Sequence, residues 1–319
     1  MTNTDIQAAY VGSSEAVKMY LGTDIVWQKQ SPGPVPYEQQ YLTIHALDQA
    51  SLQSNTAYTG GSVYYRTKGS DSWQTLSPGT TISMQADDEI ELKGYSGATG
   101  LFSGSSQSGH YEVYGNVMSL IYGENFIGQT VIPSSLVDCF YATFRNCQSL
   151  VSIKNLVMPA TTLSRGCYRS MFNKCWYLAE LPDVFIPAEA TLTSACCRYT
   201  FEQLAASAST PVEVPSGFLP VTNIAVACYE SMFYVANISS APVLPAKTLA
   251  NTCYYQMFNS CRNISEIICL ATNPTTNACG TWLLDASSTG TFYKAPGATW
   301  PRSVSGIPSG WTVQDYIET

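Results

Sequence analysis

The segment Cys167-Tyr-Arg-Ser-Met-Phe-Asn-Lys-Cys175 decides the fold, because variants of it recur along the 319-residue chain. Aligned on the first cysteine, the copies begin 25 to 32 residues apart, with a mean of 28. That mean lies inside the range of about 20–29 residues typical of leucine-rich repeats. Repeats of this size bury a core only by stacking, so we expect a stack. The copies begin at Cys139, Cys167, Cys196, Cys228 and Cys253, with a divergent sixth at Cys279.

Each copy has two parts with different patterns. Counted from the first cysteine, the buried-type residues fall at offsets 0, 1, 4, 5 and 8, which predicts one face of a two-turn helix. A short β-prone run follows and in four copies ends in proline. The pattern predicts an α/β leucine-rich-repeat solenoid of about five to six repeats, with a parallel sheet along one side. The β-prone runs are 156–159, 184–187, 217–220, 242–245 and 267–270.

Working outward from the repeats, the chain divides into five parts. Residues 118–288 hold the solenoid, and the aromatic-rich residues 289–319 are predicted to cap it. Short β-prone runs separated by Gly, Ser, Asp and Pro predict a β-sandwich-like domain over residues 37–117. Residues 31–36 form a Pro-rich linker, and residues 1–30 form a short β meander that needs a partner to bury a core. The predicted fold class is therefore mixed, all-β first and α/β after it.

The composition excludes several classes of function. Only 12% of the residues are charged, and the net charge is −8 without any basic block, which argues against nucleic-acid binding. The sequence contains no run of about 18 apolar residues, so it predicts no membrane-spanning segment. The repeats are balanced in charge, so the net negative charge lies outside them. A neutral, Tyr-rich repeat region favours contact with other molecules over catalysis.

The 11 cysteines are the strongest chemical candidates, and the repeat accounts for most of them. Five share offset 0, so we interpret them as a column of small buried side chains. Disulfides between neighbouring copies remain an alternative, and zinc is disfavoured because no CxxC pair occurs. The two histidines, His45 and His110, lie outside the repeats, away from the predicted buried thiols. We therefore predict no catalytic residue, no cofactor and no metal.

Two sets of repeat residues are candidates for a contact surface. Tyr141, Tyr199, Tyr234 and Tyr255 occupy offsets predicted to be exposed. Side chains alternate between the two faces of a strand, so the β-prone runs should also turn one apolar stripe outward. A stripe of this kind predicts a covering subunit or domain. Its members are Val157, Phe185, Phe218, Val243 and Cys269.

The block Cys-Tyr-x-x-Met-Phe-x-x-Cys resembles the BspA-like leucine-rich repeats found in gut anaerobes and their phages. The resemblance covers residues of about 115–311 and includes Met158-Pro-Ala-Thr-Thr-Leu163 and Leu244-Pro-Ala-Lys-Thr-Leu249. It implies a surface-exposed recognition solenoid, often adhesive and without enzymatic activity. Copies three and four depart from the pattern, because Leu204 and Ala236 replace the second cysteine.

The first 30 residues are similar to the leading segments of phage tail and appendage proteins. The similarity implies a virion attachment segment, and no secretory signal is visible at the start of the sequence. Virion proteins assemble in the host cytoplasm without an export signal, so this combination favours a virion protein over an exported one. The predicted attachment residues are Tyr10, Tyr20, Leu21, Val26 and Trp27.

The sequence thus predicts a non-enzymatic phage structural protein, a fibre, spike or decoration appendage. Its N-terminus would bind other virion proteins, and its solenoid would recognise a glycan or protein on the host surface. We expect a homo-oligomer, without nucleic-acid binding or membrane insertion. Two alternatives stay open: a cementing protein of the capsid or tail, and a BspA-like adhesin at a bacterial cell surface.

Overall fold

The computed structural model describes residues 34–104, 106–275 and 277–317, together with the backbone of four strands in residues 10–28. The chain forms two compact units, residues 1–36 and residues 37–319. The described residues are mostly β structure and turns, with one α-helix, α1 (Ser119–Tyr122), and two short 3-10 helices, Tyr37–Gln39 and Gly123–Asn125. None of their helices has the length and apolar character needed to cross a membrane. The strands are β1 (Tyr10–Val11), β2 (Ser14–Glu15), β3 (Lys18–Leu21), β4 (Asp24–Gln28), β5 (Leu42–Ala46), β6 (Ala50–Gln53), β7 (Thr59–Gly60), β8 (Val63–Thr67), β9 (Gln74–Thr75), β10 (Thr81–Met84), β11 (Glu89–Gly94), β12 (Ala98–Thr99), β13 (Gln107–Ser108), β14 (Tyr111–Asn116), β15 (Leu150–Ser152), β16 (Leu156–Val157), β17 (Glu266–Cys269), β18 (Gly290–Lys294) and β19 (Trp311–Asp315).

The first unit contains two antiparallel strand pairs. Strand β1 pairs with β2, and β3 pairs with β4. The predicted attachment residues Tyr10, Tyr20, Leu21, Val26 and Trp27 belong to β1, β3 and β4, but their side chains lie outside the described residues. Their role therefore stays a prediction.

The second unit begins with a mixed sheet. Its strand order is β15-β14-β5-β11-β8-β9, and β16 also pairs with β14. A second sheet has the order β10-β6-β13. Strand β10 shows why these residues form strands, because Ile82 and Met84 are buried while Thr81 and Ser83 are exposed. That alternation is the pattern of a half-buried strand. The β structure predicted for residues 37–117 is present.

Strand β14 connects this region to the repeats. It runs antiparallel to β5 and parallel to both β15 and β16, which belong to the first repeat. Residues 37–319 consequently form one compact unit, and the predicted divisions after residues 117 and 288 fall inside it.

Each repeat block runs as a series of four-residue turns that bonds to the next copy. Within a block, alternate N–H groups donate three residues back, for example Met171 to the Tyr168 carbonyl at 3.2 Å. The intervening N–H groups donate to the next copy: Phe140 to the Cys167 carbonyl at 2.9 Å, and Tyr168 to the Cys196 carbonyl at 2.8 Å. We call this stack the turn ladder. Its segments are 138–146, 166–174, 195–203, 227–235 and 252–260, with related segments 97–104 at one end and 278–285 at the other.

The predicted two-turn helix is wrong. Every fourth residue of a block has a positive φ, as at Ala142 (55°) and Asn146 (59°), and this interrupts a right-handed helix. A helix would also use its N–H groups internally, whereas here half of them join neighbouring copies. The buried offsets 0, 1, 4, 5 and 8 fit a period of four residues as well as one of 3.6, which explains the misassignment.

The ladder extends further than the sequence alignment. The amides of Ala98, Gly100, Phe102 and Gly104 donate to carbonyls in residues 139–145, so residues 97–104 form an additional first segment. At the other end, the Tyr254 amide donates to the Ala278 carbonyl at 3.0 Å. Ala278 therefore occupies offset 0 of the sixth copy, and Cys279, which was aligned there, occupies offset 1.

A row of stacked phenylalanines runs through the core of the ladder. Successive ring centroids lie 5.5–5.7 Å apart from Phe102 through Phe144 and Phe172 to Phe201, and continue at 5.7 Å to Phe258. The rings between Phe144 and Phe258 are within about 10° of parallel. These contacts fix the lateral spacing of the copies. The members are Phe102, Phe144, Phe172, Phe201, Phe233 and Phe258, all fully buried.

The β-prone runs after each block form a less regular parallel array. Only β16 and β17 are regular strands in these runs, and Leu244 bridges to Cys269 of β17. Beyond the last ladder segment, β17, β18 and β19 form a parallel sheet. Trp300 from this region stacks on Trp282 of the ladder at 5.4 Å, so aromatic rings close the end of the phenylalanine row.

Candidate binding surface

The turn ladder carries a row of Tyr and Arg side chains on its solvent side. We call it the outer face, and its residues come from offsets 2, 3 and 6 of the blocks. Except for Glu230, which is mostly buried, these side chains are partly exposed. The sequence predicted exposure for the four tyrosines, and the structure places each of them partly in solvent. The outer face consists of Tyr141, Arg169, Arg198, Tyr199, Glu230, Tyr234 and Tyr255.

Arg169 joins two neighbouring ladder segments. Its guanidinium lies 4.1 Å from the centroid of the Tyr141 ring. Its Nη2 and Nε donate to the two carboxylate oxygens of Asp138 at 2.9 and 3.2 Å. A bidentate pair with a ring stacked on the guanidinium holds both side chains in a single geometry.

Arg198, one copy further along, also contacts a Tyr ring and a carboxylate, but the ring belongs to its own copy and the carboxylate to the following one. Its guanidinium lies 4.5 Å from the centroid of the Tyr199 ring, and Nη2 donates to the Tyr199 hydroxyl at 2.7 Å. The same Nη2 donates to Oε1 of Glu230 at 2.5 Å. The buried Nε of Arg198 has no hydrogen-bond partner among the described residues. Within the described part of the chain this N–H is an unused donor.

The outer face combines fixed aromatic rings with paired charges. Each Arg is neutralised by its own carboxylate, so the face offers hydrogen-bonding groups without a net field. Tyr and Arg are among the residue types that are enriched in protein contact surfaces and in their binding hot spots. Sequence reasoning found the tyrosines and missed Arg169, Arg198 and Glu230. Their signal was present, since all three share offset 2 with Tyr141 and Tyr255.

The predicted apolar stripe is not a surface. Phe185 and Phe218 are buried and stack on each other at 5.3 Å. The chain bends at both residues, so the alternation of an extended strand does not apply to them. Cys269 is buried as well, because in β17 it is Ile268 that faces partly outward.

The two remaining stripe residues, Val157 and Val243, are half-buried. The expectation of a continuous exposed stripe is therefore wrong, and with it the argument for a covering subunit. Phe185 and Phe218 instead form a second aromatic row that packs on Phe201 of the core.

All 11 cysteines are free and buried. Burial raises the pKa of the Cys139, Cys147, Cys261 and Cys269 thiols to about 12. Sγ of Cys196 and Sγ of Cys197 lie 3.8 Å apart without a bond. A thiol held neutral in this way is a poor nucleophile and a poor metal ligand at neutral pH.

The histidines pair with carboxylates away from these thiols. Nδ1 of His45 lies 2.8 Å from Oε1 of Glu112, and Nδ1 of His110 lies 2.7 Å from Oδ2 of Asp48. Across the described residues, no group of three or more His, Cys, Asp and Glu side chains is arranged to hold a metal ion.

Comparison with known proteins supplies no further assignment. No model of a known protein family matches the chain, and neither the curated proteins nor the solved structures contain a match.

Proposed function

We propose that the turn ladder and the β-prone runs beside it form a solenoid of the leucine-rich-repeat type. The support is the stacking of equivalent positions: offset 1 of each block bonds to offset 0 of the next through the fifth copy and into the sixth. Solenoids present one residue of every repeat along an extended surface, which suits recognition of large or repetitive partners.

We further propose that the chain is a non-enzymatic structural protein of a phage virion, a fibre, spike or decoration appendage. Residues 1–30 would attach to other virion proteins, and the solenoid would recognise a ligand on the host surface. The outer face is the observation that carries the recognition part, because Arg169 and Arg198 each pair with a carboxylate of a neighbouring copy and lie against a Tyr ring before any ligand arrives.

The attachment part rests on two observations. Residues 1–36 form a compact unit of their own, and this unit holds the segment that resembles phage appendage proteins. A homo-oligomer is part of the same proposal, because a segment of this size buries little apolar surface alone.

A cementing protein is the second candidate. The charge balance of the outer face fits another virion protein as well as a host ligand, since each Arg is already paired. A BspA-like bacterial adhesin is the third, and it shares the solenoid but not the virion attachment.

Antibodies against the full chain, used to label phage particles for electron microscopy, test the location. Label on projecting structures of the particle supports the proposal, and regular label over the whole capsid favours the cementing protein. Label on cell envelopes without particles would refute the virion proposal in favour of the adhesin.

Binding of the purified chain to host cells tests the outer face. We expect Arg169→Ala to weaken binding about fivefold or more, because it removes the guanidinium that fixes Tyr141. Arg262→Ala is the matched control, since Arg262 is exposed and lies outside the outer face. Equal binding by both variants and the unmodified chain would contradict a role for the outer face.

A further inference from the structure

A row of short segments precedes the turn ladder in each copy and is joined by backbone hydrogen bonds. The Thr161 amide donates to the Thr130 carbonyl at 2.8 Å, and the Thr191 amide donates to the Thr161 carbonyl at 2.7 Å. Near the other end of the row, the Thr272 amide donates to the Lys247 carbonyl at 2.9 Å. The row is therefore continuous at both ends.

The row is interrupted in the middle. The backbone N–H and C=O groups of Thr222, Asn223 and Ile224 make no hydrogen bond to the described residues, although these residues stand at the offsets that pair elsewhere. The interruption coincides with the longest copy, because Cys196 and Cys228 are 32 residues apart whereas the mean spacing is 28.

Two grooves lie on either side of this segment and share it as a wall. One lies between residues 188–192 and 221–225 and has a volume of about 550 Å³. The other lies between residues 222–224 and 245–250 and has a volume of about 570 Å³. Together they cross three consecutive copies.

The grooves are lined by groups that both donate and accept hydrogen bonds. The side chains of Thr222, Asn223 and Thr248 are exposed and make no hydrogen bond within the described residues. Hydroxyl and amide groups, like a free backbone, act in both directions. The formal charges are Glu189 and Lys247, which cancel. Apolar side chains form the other half of the lining of the second groove, and they come from Ile224, Pro245, Leu249 and Ala250.

We propose that the two grooves flanking Thr222–Asn223–Ile224 bind a neutral oligosaccharide. Sugar hydroxyls donate and accept at close spacing, which matches a wall of hydroxyl, amide and free backbone groups. An anionic ligand would find no excess of positive charge, because Glu189 offsets Lys247, and an extended peptide would require deeper apolar pockets for its alternate side chains. The proposal deepens the recognition role and rests on it, but its site is separate from the outer face.

Isothermal titration of the full chain with neutral trisaccharides tests the site, using maltotriose, cellotriose, mannotriose and tri-N-acetylchitotriose. We expect one of these to bind, and Asn223→Ala and Thr248→Val each to weaken that binding about 3- to 10-fold, as for the loss of one or two hydrogen bonds. Thr162→Val is the matched control, because Thr162 is exposed at the same offset as Thr248 but lies where the row is continuous. It should bind like the unmodified chain.

Three outcomes would overturn the proposal. In the first, no trisaccharide binds at millimolar concentration. In the second, a trisaccharide binds but Asn223→Ala and Thr248→Val leave its affinity unchanged. In the third, Thr162→Val weakens the binding as much as the two groove variants do. If extended peptides bind instead, and Asn223→Ala and Thr248→Val weaken that binding, the ligand of the grooves is a peptide and not an oligosaccharide. If the groove variants lose the trisaccharide while Arg169→Ala still governs host-cell binding, the two sites act independently. If Arg169→Ala has no effect but the groove variants behave as expected, only the outer-face part of the proposed function fails.

Discussion

A buried cysteine serves this chain as a small side chain that fits where two copies meet. Cys139, Cys167, Cys196, Cys228 and Cys253 form a column at offset 0, where neighbouring backbones are joined by hydrogen bonds. A larger side chain would separate the copies, and a smaller one would leave a void, because protein interiors are close-packed. The thiols contribute through size and burial, and their burial makes the fold sensitive to alkaline pH.

We predict that the chain loses stability as the pH rises above about 9. The pKa of the Cys269 thiol is raised to about 12 in the folded protein, well above its unfolded value of about 8.5. The folded state therefore keeps protons that the unfolded state releases. This stabilisation is fully present below the unfolded pKa and is lost as the pH rises towards 12. Each such thiol lowers the free energy of unfolding by up to about 1.4 kcal/mol per pH unit in that window.

Urea unfolding with reductant at pH 7.0, 8.0, 9.5 and 10.5 measures this dependence. Cys269→Ala should reduce the slope above pH 9 by up to one thiol's share and leave the slope between pH 7 and 8 unchanged. Parallel slopes for the variant and the unmodified chain above pH 9 would contradict the prediction.

At the scale of elements, the turn ladder occupies the positions where the sequence predicted helices. Residues with positive φ recur every four positions, which costs about 1 kcal/mol for each residue other than glycine. Backbone hydrogen bonds between copies and the stacked phenylalanine row offset that cost. Segment 97–104 uses glycine at Gly100 and Gly104, the two positions equivalent to Ala142 and Asn146.

We predict that Gly97→Ala destabilises the chain much more than Gly69→Ala. The two glycines have nearly equal φ, 86° and 84°, so the backbone strain of an added Cβ is the same. At Gly97 that Cβ would lie 2.4 Å from the Cys139 carbonyl oxygen, whereas at Gly69 it meets nothing within 4 Å. We expect Gly69→Ala to cost about 1 kcal/mol and Gly97→Ala about 2–4 kcal/mol. Urea midpoints of both variants check this, and equal midpoints would show that segment 97–104 does not pack tightly on the ladder.

The sequence predicted the repeat and the register of its first five copies, because both depend on the cysteine and phenylalanine spacing. It did not predict the turns, since two periods of 4 and of 3.6 residues are indistinguishable over nine residues. It missed segment 97–104, which shares only Phe102 with the repeat blocks. The tyrosines of the outer face could be predicted because their offsets in the repeat indicate exposed positions. The pairing of Arg169 with Asp138 could not, because it depends on how the copies stack.

The wrong stripe has a different origin. Assigning Phe185 and Phe218 to the surface assumed an extended chain, but Gly217 lies in a turn and Phe218 donates back to the Pro215 carbonyl at 3.1 Å. The groove at Thr222 was also beyond sequence reasoning. The long third copy was visible, but the loss of pairing depends on where the extra residues place the chain.

At the scale of the molecule, residues 37–319 form one compact unit that is held together by several kinds of contact. Segment 97–104 gives four amides to the first ladder segment, and β14 holds β15 and β16 as parallel neighbours. The buried residues of this body form one continuous core. The β region thus covers one end of the turn ladder, which is the role that terminal caps have in repeat proteins.

We therefore predict that residues 118–319 do not fold alone, whereas residues 37–319 do. Cutting before residue 118 removes the four amides that bond to carbonyls of residues 139–145 and uncovers the rings of Phe140 and Phe144. It also removes β14 from β15 and β16, which leaves two strands without their sheet. Removing residues 1–36 takes away a separate compact unit, so the 37–319 fragment should keep the urea midpoint of the full chain within error. Circular dichroism, urea unfolding and amide dispersion in NMR spectra compare the three proteins. A 118–319 fragment that unfolds cooperatively at the same midpoint would show that the repeats are an independent domain, and that segment 97–104 only rests on them.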